Sequence, residues 1–158
     1  MSVFKMGEFI EMAIRDEETG AAFYDALVKV TKNEEVKKGC QRMADQERMH
    51  ADRFRRMLSE VGSEKPREEF AGQYEQYLDY LLTSRAFPTP EDAARKVADF
   101  KSDVDALRVA MQMEKDTLLF YDEIKALIPD THRKYVADII LEERVHVSDI
   151  YALQKKLR

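Results

Sequence analysis

The chain has 158 residues with 26 basic and 31 acidic side chains; a net charge of −5 argues against a surface built mainly for nucleic acid or an anionic membrane. Charged residues make up 36% and apolar ones 44%, with only 5 glycines and 4 prolines, so long amphipathic helices are expected rather than sheet or disorder. One cysteine, Cys40, excludes an internal disulfide, a cysteine-rich zinc site and an iron–sulfur ligand set.

The first predicted helix carries Ile10, Ile14, Glu17, Ala21, Tyr24 and Val28 at steps of three or four. Thr31-Lys32-Asn33 interrupts it, and Asn33 is placed to cap the second helix. That helix carries Val36, Cys40, Met43, Glu47, His50, Phe54, Met57 and Val61, and Gly62 suits the position just past its end. Residues 62–101 form a long crossover in which Phe70, Tyr74, Tyr77 and Leu81 share a helical face. Phe87-Pro88-Thr89-Pro90 then breaks the chain, and Thr89 with Asp92 caps a short helix reaching Phe100. Ser102 with Asp105 opens the third long helix, which carries Val104, Leu107, Met111, Glu114, Leu118, Tyr121 and Ile128. Pro129-Asp130-Thr131 leads into the fourth, with Val136, Ile139, Glu143, His146, Ile150, Leu153 and Leu157.

The fold class expected is all-α, as one domain over 1–158: a hairpin to residue 61, the crossover, and a hairpin from residue 102. A single long, partly helical crossover between the second and third helices points to a ferritin-like four-helix bundle. The apolar crossover needs a surface to cover, its own bundle or a partner, and favours a homodimer. No apolar run approaches the roughly 20 residues that span a bilayer. The acidic Glu8 and Glu11 follow the N-terminus too closely for a signal peptide, so no membrane role and a cytoplasmic location are expected.

The two hairpins repeat one another. Aligning Glu17 with Glu114 brings Ala13 onto Ala110 and Phe23-Tyr24-Asp25 onto Phe120-Tyr121-Asp122. Aligning Glu47 with Glu143 brings Arg48 onto Arg144 and His50 onto His146; the carboxylate spacings are 30 and 29 residues. Six ionisable residues, Glu17, Glu47, His50, Glu114, Glu143 and His146, thus occupy seam positions that should be apolar. An unpaired buried carboxylate costs several kcal/mol, and four together repel. Four carboxylates and two neutral imidazoles sum to −4, which two divalent cations neutralise. Glu47 and His50, like Glu143 and His146, are three apart and share a helix face, so each pair can converge on one cation. Oxygen-rich ligation with one imidazole per metal suits iron or manganese. Tyr24 and Tyr121, two turns beyond Glu17 and Glu114, are placed to donate hydrogen bonds to the carboxylates.

A Glu from each of two helices and Glu-x-x-His from the other two is the pattern of di-iron and di-manganese carboxylate bundles. The sequence resembles the rubrerythrin branch of the ferritin-like superfamily over nearly its whole length. The resemblance rests on Ala13-Ile14 through Glu17 to Phe23-Tyr24, on Asp45-Gln46-Glu47-Arg48-Met49-His50, on Glu114-Lys115-Asp116 to Phe120-Tyr121, and on Glu142-Glu143-Arg144-Val145-His146. It implies a di-iron centre with Glu47 and Glu143 bridging, Glu17 and Glu114 terminal, and one histidine on each metal. It implies reduction of hydrogen peroxide or dioxygen in oxidative-stress defence, and related bundles oxidise and store iron. Two departures stand out. Rubrerythrins carry a further Glu three residues after the third-helix ligand, where this chain has Thr117, matched by Gly20 in the first helix. The four-cysteine rubredoxin-like module cannot be built from Cys40 alone, so electrons would come from a separate, rubredoxin-like donor.

The function expected is therefore a di-iron oxidoreductase, with Tyr24 and Tyr121 as candidate catalytic side chains orienting ligands or supplying protons. The alternatives are a ferroxidase or iron-handling protein, and a helical interaction module with a structural metal pair. Met43, Met49, Met111 and Met113 read as core or flank filler, and Cys40 as a small core residue. His132 reads as a surface residue and Gly20 as a close packing point. Glu18, Glu142 and Lys115 read as a solvated face.

Overall fold

The computed structural model describes residues 5–64 and 73–158. Its elements are α1 (Met6–Val30), α2 (Glu34–Val61), α3 (Gln73–Thr83), α4 (Pro90–Val97), α5 (Asp103–Leu127) and α6 (Asp130–Lys156), with no strand among the described residues. The four long helices are α1, α2, α5 and α6; α3 and α4 lie in the crossover.

The helix ends follow local chemistry. The Asn33 side chain accepts from the backbone N–H groups of Glu35 and Val36, so two of the otherwise unpartnered donors of α2 are satisfied. Ser102 accepts from Asp105 N–H at the start of α5, and Thr89 from Asp92 N–H at the start of α4. The short helix ends at Val97 rather than Phe100, closing through hydrogen bonds of Ala98, Asp99 and Phe100 N–H to carbonyls three residues back. The start of α1 is capped from a distance: Met6 N–H donates to Glu64 O and Gly7 N–H to Gly62 O. A Cβ on Gly7 would stand 2.8 Å from that Gly62 oxygen, so this junction requires glycine.

Short links make α1–α2 and α5–α6 the two hairpins, whose helices pack along one another, while α4 lies against α1. Two apolar clusters fill the interior. One gathers Phe9, Ile10, Phe54, Tyr121, Ile124 and Ile139, and includes Leu78 and Leu81 of α3. The other gathers Phe23, Tyr24, Cys40, Met43, Leu107 and Ile150, and includes Ala93 and Val97 of α4. The crossover therefore covers its own bundle at these positions, although Tyr80 remains 61% exposed. Phe70 lies outside the described residues, as does the side chain of Tyr74.

Crossover packing also explains a second buried stripe on α1. Phe9, Phe23 and Leu27 are buried beside the expected seam of Ile10, Glu17 and Tyr24. Phe23 packs with its ring centroid 6.1 Å from those of Phe87 and Phe100. No described helix is long and apolar enough to cross a membrane.

Candidate metal centre

Between the two apolar clusters lies a charged layer. Glu17 from α1, Glu47 and His50 from α2, Glu114 from α5, and Glu143 and His146 from α6 are all buried. They form two overlapping groups, Glu17–Glu47–His50–Glu143 and Glu47–Glu114–Glu143–His146, with candidate ligand atoms within 4.8 Å of one another in each group. Glu47 and Glu143 belong to both groups. The imidazole rings lie 5.8 Å apart, centre to centre. The repeat in sequence is thus a two-fold repeat in space.

The inward atoms are close but poorly matched to each other. His50 Nδ1 stands 2.6 Å from Glu143 Oε1, and His146 Nδ1 stands 3.0 Å from Glu143 Oε2 and 3.1 Å from Glu47 Oε1. Yet His50 Nδ1, His146 Nδ1, Glu17 Oε2 and both Glu143 oxygens lack a hydrogen bond of acceptable geometry. Buried polar atoms are almost always satisfied, so five such atoms converging on one region need another partner. Oxygen and imidazole donors that face a common region without aligning on each other fit divalent cations.

The outer atoms are well partnered. Tyr24 donates its hydroxyl hydrogen to Glu114 Oε1, and Tyr121 donates to Glu17 Oε1. Each tyrosine thus holds the carboxylate of the opposite hairpin. His50 Nε2 donates to Glu142 Oε2 at 2.7 Å, and Arg53 donates to Glu142 Oε1 at 2.9 Å. His146 Nε2 donates to the Gln46 side-chain oxygen at 3.0 Å. These bonds leave Nδ1 of each ring facing inward. Glu142 is therefore no solvated flank residue, as its neighbours in sequence suggested. It is half-buried, because α6 turns it toward the His50 ring of α2. The signal for it was available in the repeat, which aligns Glu142 with Gln46.

Without metal the cluster holds protons. Burial opposes a charge on His50, but Glu143 and Glu17 outweigh it and push the ring up to about 11. Burial likewise opposes protonation of His146, but Glu114 and Glu143 raise it to about 10. Glu47 is pushed well above the carboxylate range by burial and by the neighbouring Glu143, Glu17 and Glu114 charges. Glu114 is raised to about 7 by burial and Glu143, against the pull of His146. Burial and the nearby carboxylates keep both tyrosines protonated.

A Cβ on Gly20 would meet Glu47 Cδ and Oε2 at 3.2 Å, so the close packing expected at this glycine is against a carboxylate of the cluster. Thr117 lines a cavity of about 30 Å³ together with Asp16, Thr19, Arg85, Met113 and Asp116. No motif or seam position in the sequence marks Asp16 or Arg85. Arg85 Nε lies 3.2 Å from Asp16 Oδ1, and its guanidinium sits 4.2 Å over the Phe120 ring. Burial raises Asp16 to about 7, against the pull of Arg85. Cys40 is buried in the apolar core, which pushes its thiol up to about 12. His132 Nε2 donates to Glu60 Oε2 at 2.6 Å, away from the cluster. Met43 is buried whereas Met49 is 55% exposed.

Comparison with known proteins agrees with this geometry. A ferritin-like diiron-carboxylate protein from Thermotoga maritima matches with a TM-score of 0.74 and 28% identity, over 98% of this chain and 97% of that one. No curated protein sequence matches. The rubrerythrin family profile matches residues 8–154. An all-helical ferritin-like fold and a buried carboxylate–histidine cluster thus accompany a profile match along almost the whole chain, which belongs to the rubrerythrin family.

Proposed function

We propose that the chain is a di-iron oxidoreductase that reduces hydrogen peroxide or dioxygen, with electrons delivered by a separate donor protein. The observation that supports this most is the pair of four-residue groups sharing Glu47 and Glu143. In this reading Glu47 and Glu143, common to both groups, would be shared by two metals, Glu17 and Glu114 would each hold one of them, and His50 and His146 would each add one imidazole. Bound iron would supply one electron per ion, so a pair would supply the two electrons that, with two protons taken up from solvent, convert hydrogen peroxide to two waters. Manganese is the alternative metal for the same donor set.

The chain's own residues hold and insulate the centre. Apolar clusters on either side exclude water from the charged layer. Tyr24 and Tyr121 each fix one oxygen of a terminal carboxylate, and at Glu17 this leaves Oε2 facing His50 Nδ1 at 3.4 Å. Their hydroxyls also keep protons beside the site. Glu142 and Gln46 hold the two imidazoles in the orientation that presents Nδ1. We place the protein in the cytoplasm as a homodimer, with no nucleic-acid or membrane partner.

The test is metal analysis of protein purified without added metal, then anaerobic loading with ferrous iron and mixing with hydrogen peroxide. Two metals per chain and rapid oxidation of the iron are expected. Two metals without oxidation would refute the oxidoreductase and favour a structural metal pair. No metal after loading would refute the centre itself.

A further inference from the structure

The two halves of the centre match residue for residue, with a tyrosine on each terminal carboxylate and a histidine on each side. They part where the imidazoles are held from outside. His50 donates to a carboxylate, Glu142, at 2.7 Å, whereas His146 donates to a neutral amide, Gln46, at 3.0 Å. The two holders occupy equivalent positions of the internal repeat, one residue before Glu143 and Glu47 respectively.

An imidazole whose N–H is bonded to a carboxylate carries more negative charge on its other nitrogen than one bonded to an amide. Its Nδ1 is then the stronger donor to a cation. The direct bond carries this effect. At longer range the Glu142 charge is countered by Arg53, 2.9 Å away, and by solvent at a side chain 36% exposed. The His50 ring itself is fully buried, so the bond at its Nε2 is shielded.

We propose that the two metal positions are unequal: Glu142 makes the His50 position the tighter one, and Gln46 leaves the His146 position weaker. Glu142 and Gln46 are positioning residues that act through the histidines. The inference rests on the metal-centre reading. It adds an order of filling: the Glu17–His50 side first, the Glu114–His146 side second.

Anaerobic titration with ferrous iron, followed by calorimetry and by Mössbauer spectroscopy on the iron-57 form, tests it. The wild-type chain should bind two ions in two steps at least tenfold apart, with a different Mössbauer signal for each equivalent. Glu142→Gln should weaken the first step roughly ten- to hundredfold and make the two signals alike. Gln46→Glu should tighten the second step, a gain that loss of structure would not produce. Two equal steps in the wild-type chain, or steps unmoved by both substitutions, would overturn the inference while leaving the metal centre standing. Failure of the wild-type chain to bind iron would overturn both.

Discussion

Filling the centre with two divalent cations should expel about three protons at pH 7. His50 and His146, raised to about 11 and about 10, each hold a proton in the metal-free chain. Glu47 is raised well above the carboxylate range and adds to these, and Glu114, at about 7, holds roughly half of one. Metal ligation requires neutral imidazoles and ionised carboxylates, so these protons must leave. At about 1.4 kcal/mol per proton per pH unit, binding of the pair should weaken by about 4 kcal/mol for each unit below pH 7. Calorimetry in buffers of different ionisation enthalpy counts the protons directly. Release of fewer than about one proton would refute the charged, proton-filled cluster described for the metal-free state.

Stability of the metal-free chain should respond to pH in the opposite sense. Both histidines titrate above their ordinary 6.5, so their contribution is whole below about 6.5 and is lost as pH climbs through 10 to 11. Asp16 adds the same sign between its ordinary 3.8 and about 7, so the metal-free melting temperature should fall from pH 5 to pH 9 by calorimetry. Tyr24→Phe or Tyr121→Phe should keep two metals per chain but lower affinity about tenfold, because a buried carboxylate oxygen loses its only bonded hydroxyl. Gly7→Ala should destabilise by about 1–3 kcal/mol in denaturant unfolding, despite better helix propensity, since the added carbon meets the Gly62 carbonyl. Arg85→Leu should cost about 1–3 kcal/mol at pH 8, the cost of leaving the Asp16 carboxylate without its partner, and less at pH 5, where Asp16 is protonated.

Much of this was legible in the sequence because its signals are local or periodic. Asn33, Thr89 and Ser102 cap the helices they precede, and charged residues on an apolar seam mark the buried layer. The internal repeat by itself aligns Glu17 with Glu114 and Glu47 with Glu143. What could not be read depends on the crossover and on the rotation of individual helices. The burial of Phe9 and Phe23 comes from packing by distant residues, and Asp16 finds Arg85 some 69 positions away. Glu143 was legible because it falls on the apolar seam; Glu142, one residue off that seam, read as solvated. The contact of Glu142 with the back of His50 comes from the packing of α6 beside α2, across 92 positions of sequence.

The charged layer also acts as a key for helix register. Sliding α2 by one turn, about 5.4 Å, would carry Glu47 and His50 out of the charged layer and into an adjoining apolar cluster. An unpartnered carboxylate there costs several kcal/mol, and its former partners would be stranded as well. Apolar seams alone tolerate such slips, because leucine-like surfaces repack on one another. Four helices that each bury charge at mid-length align in one way, so the residues that destabilise the core most also select its one arrangement.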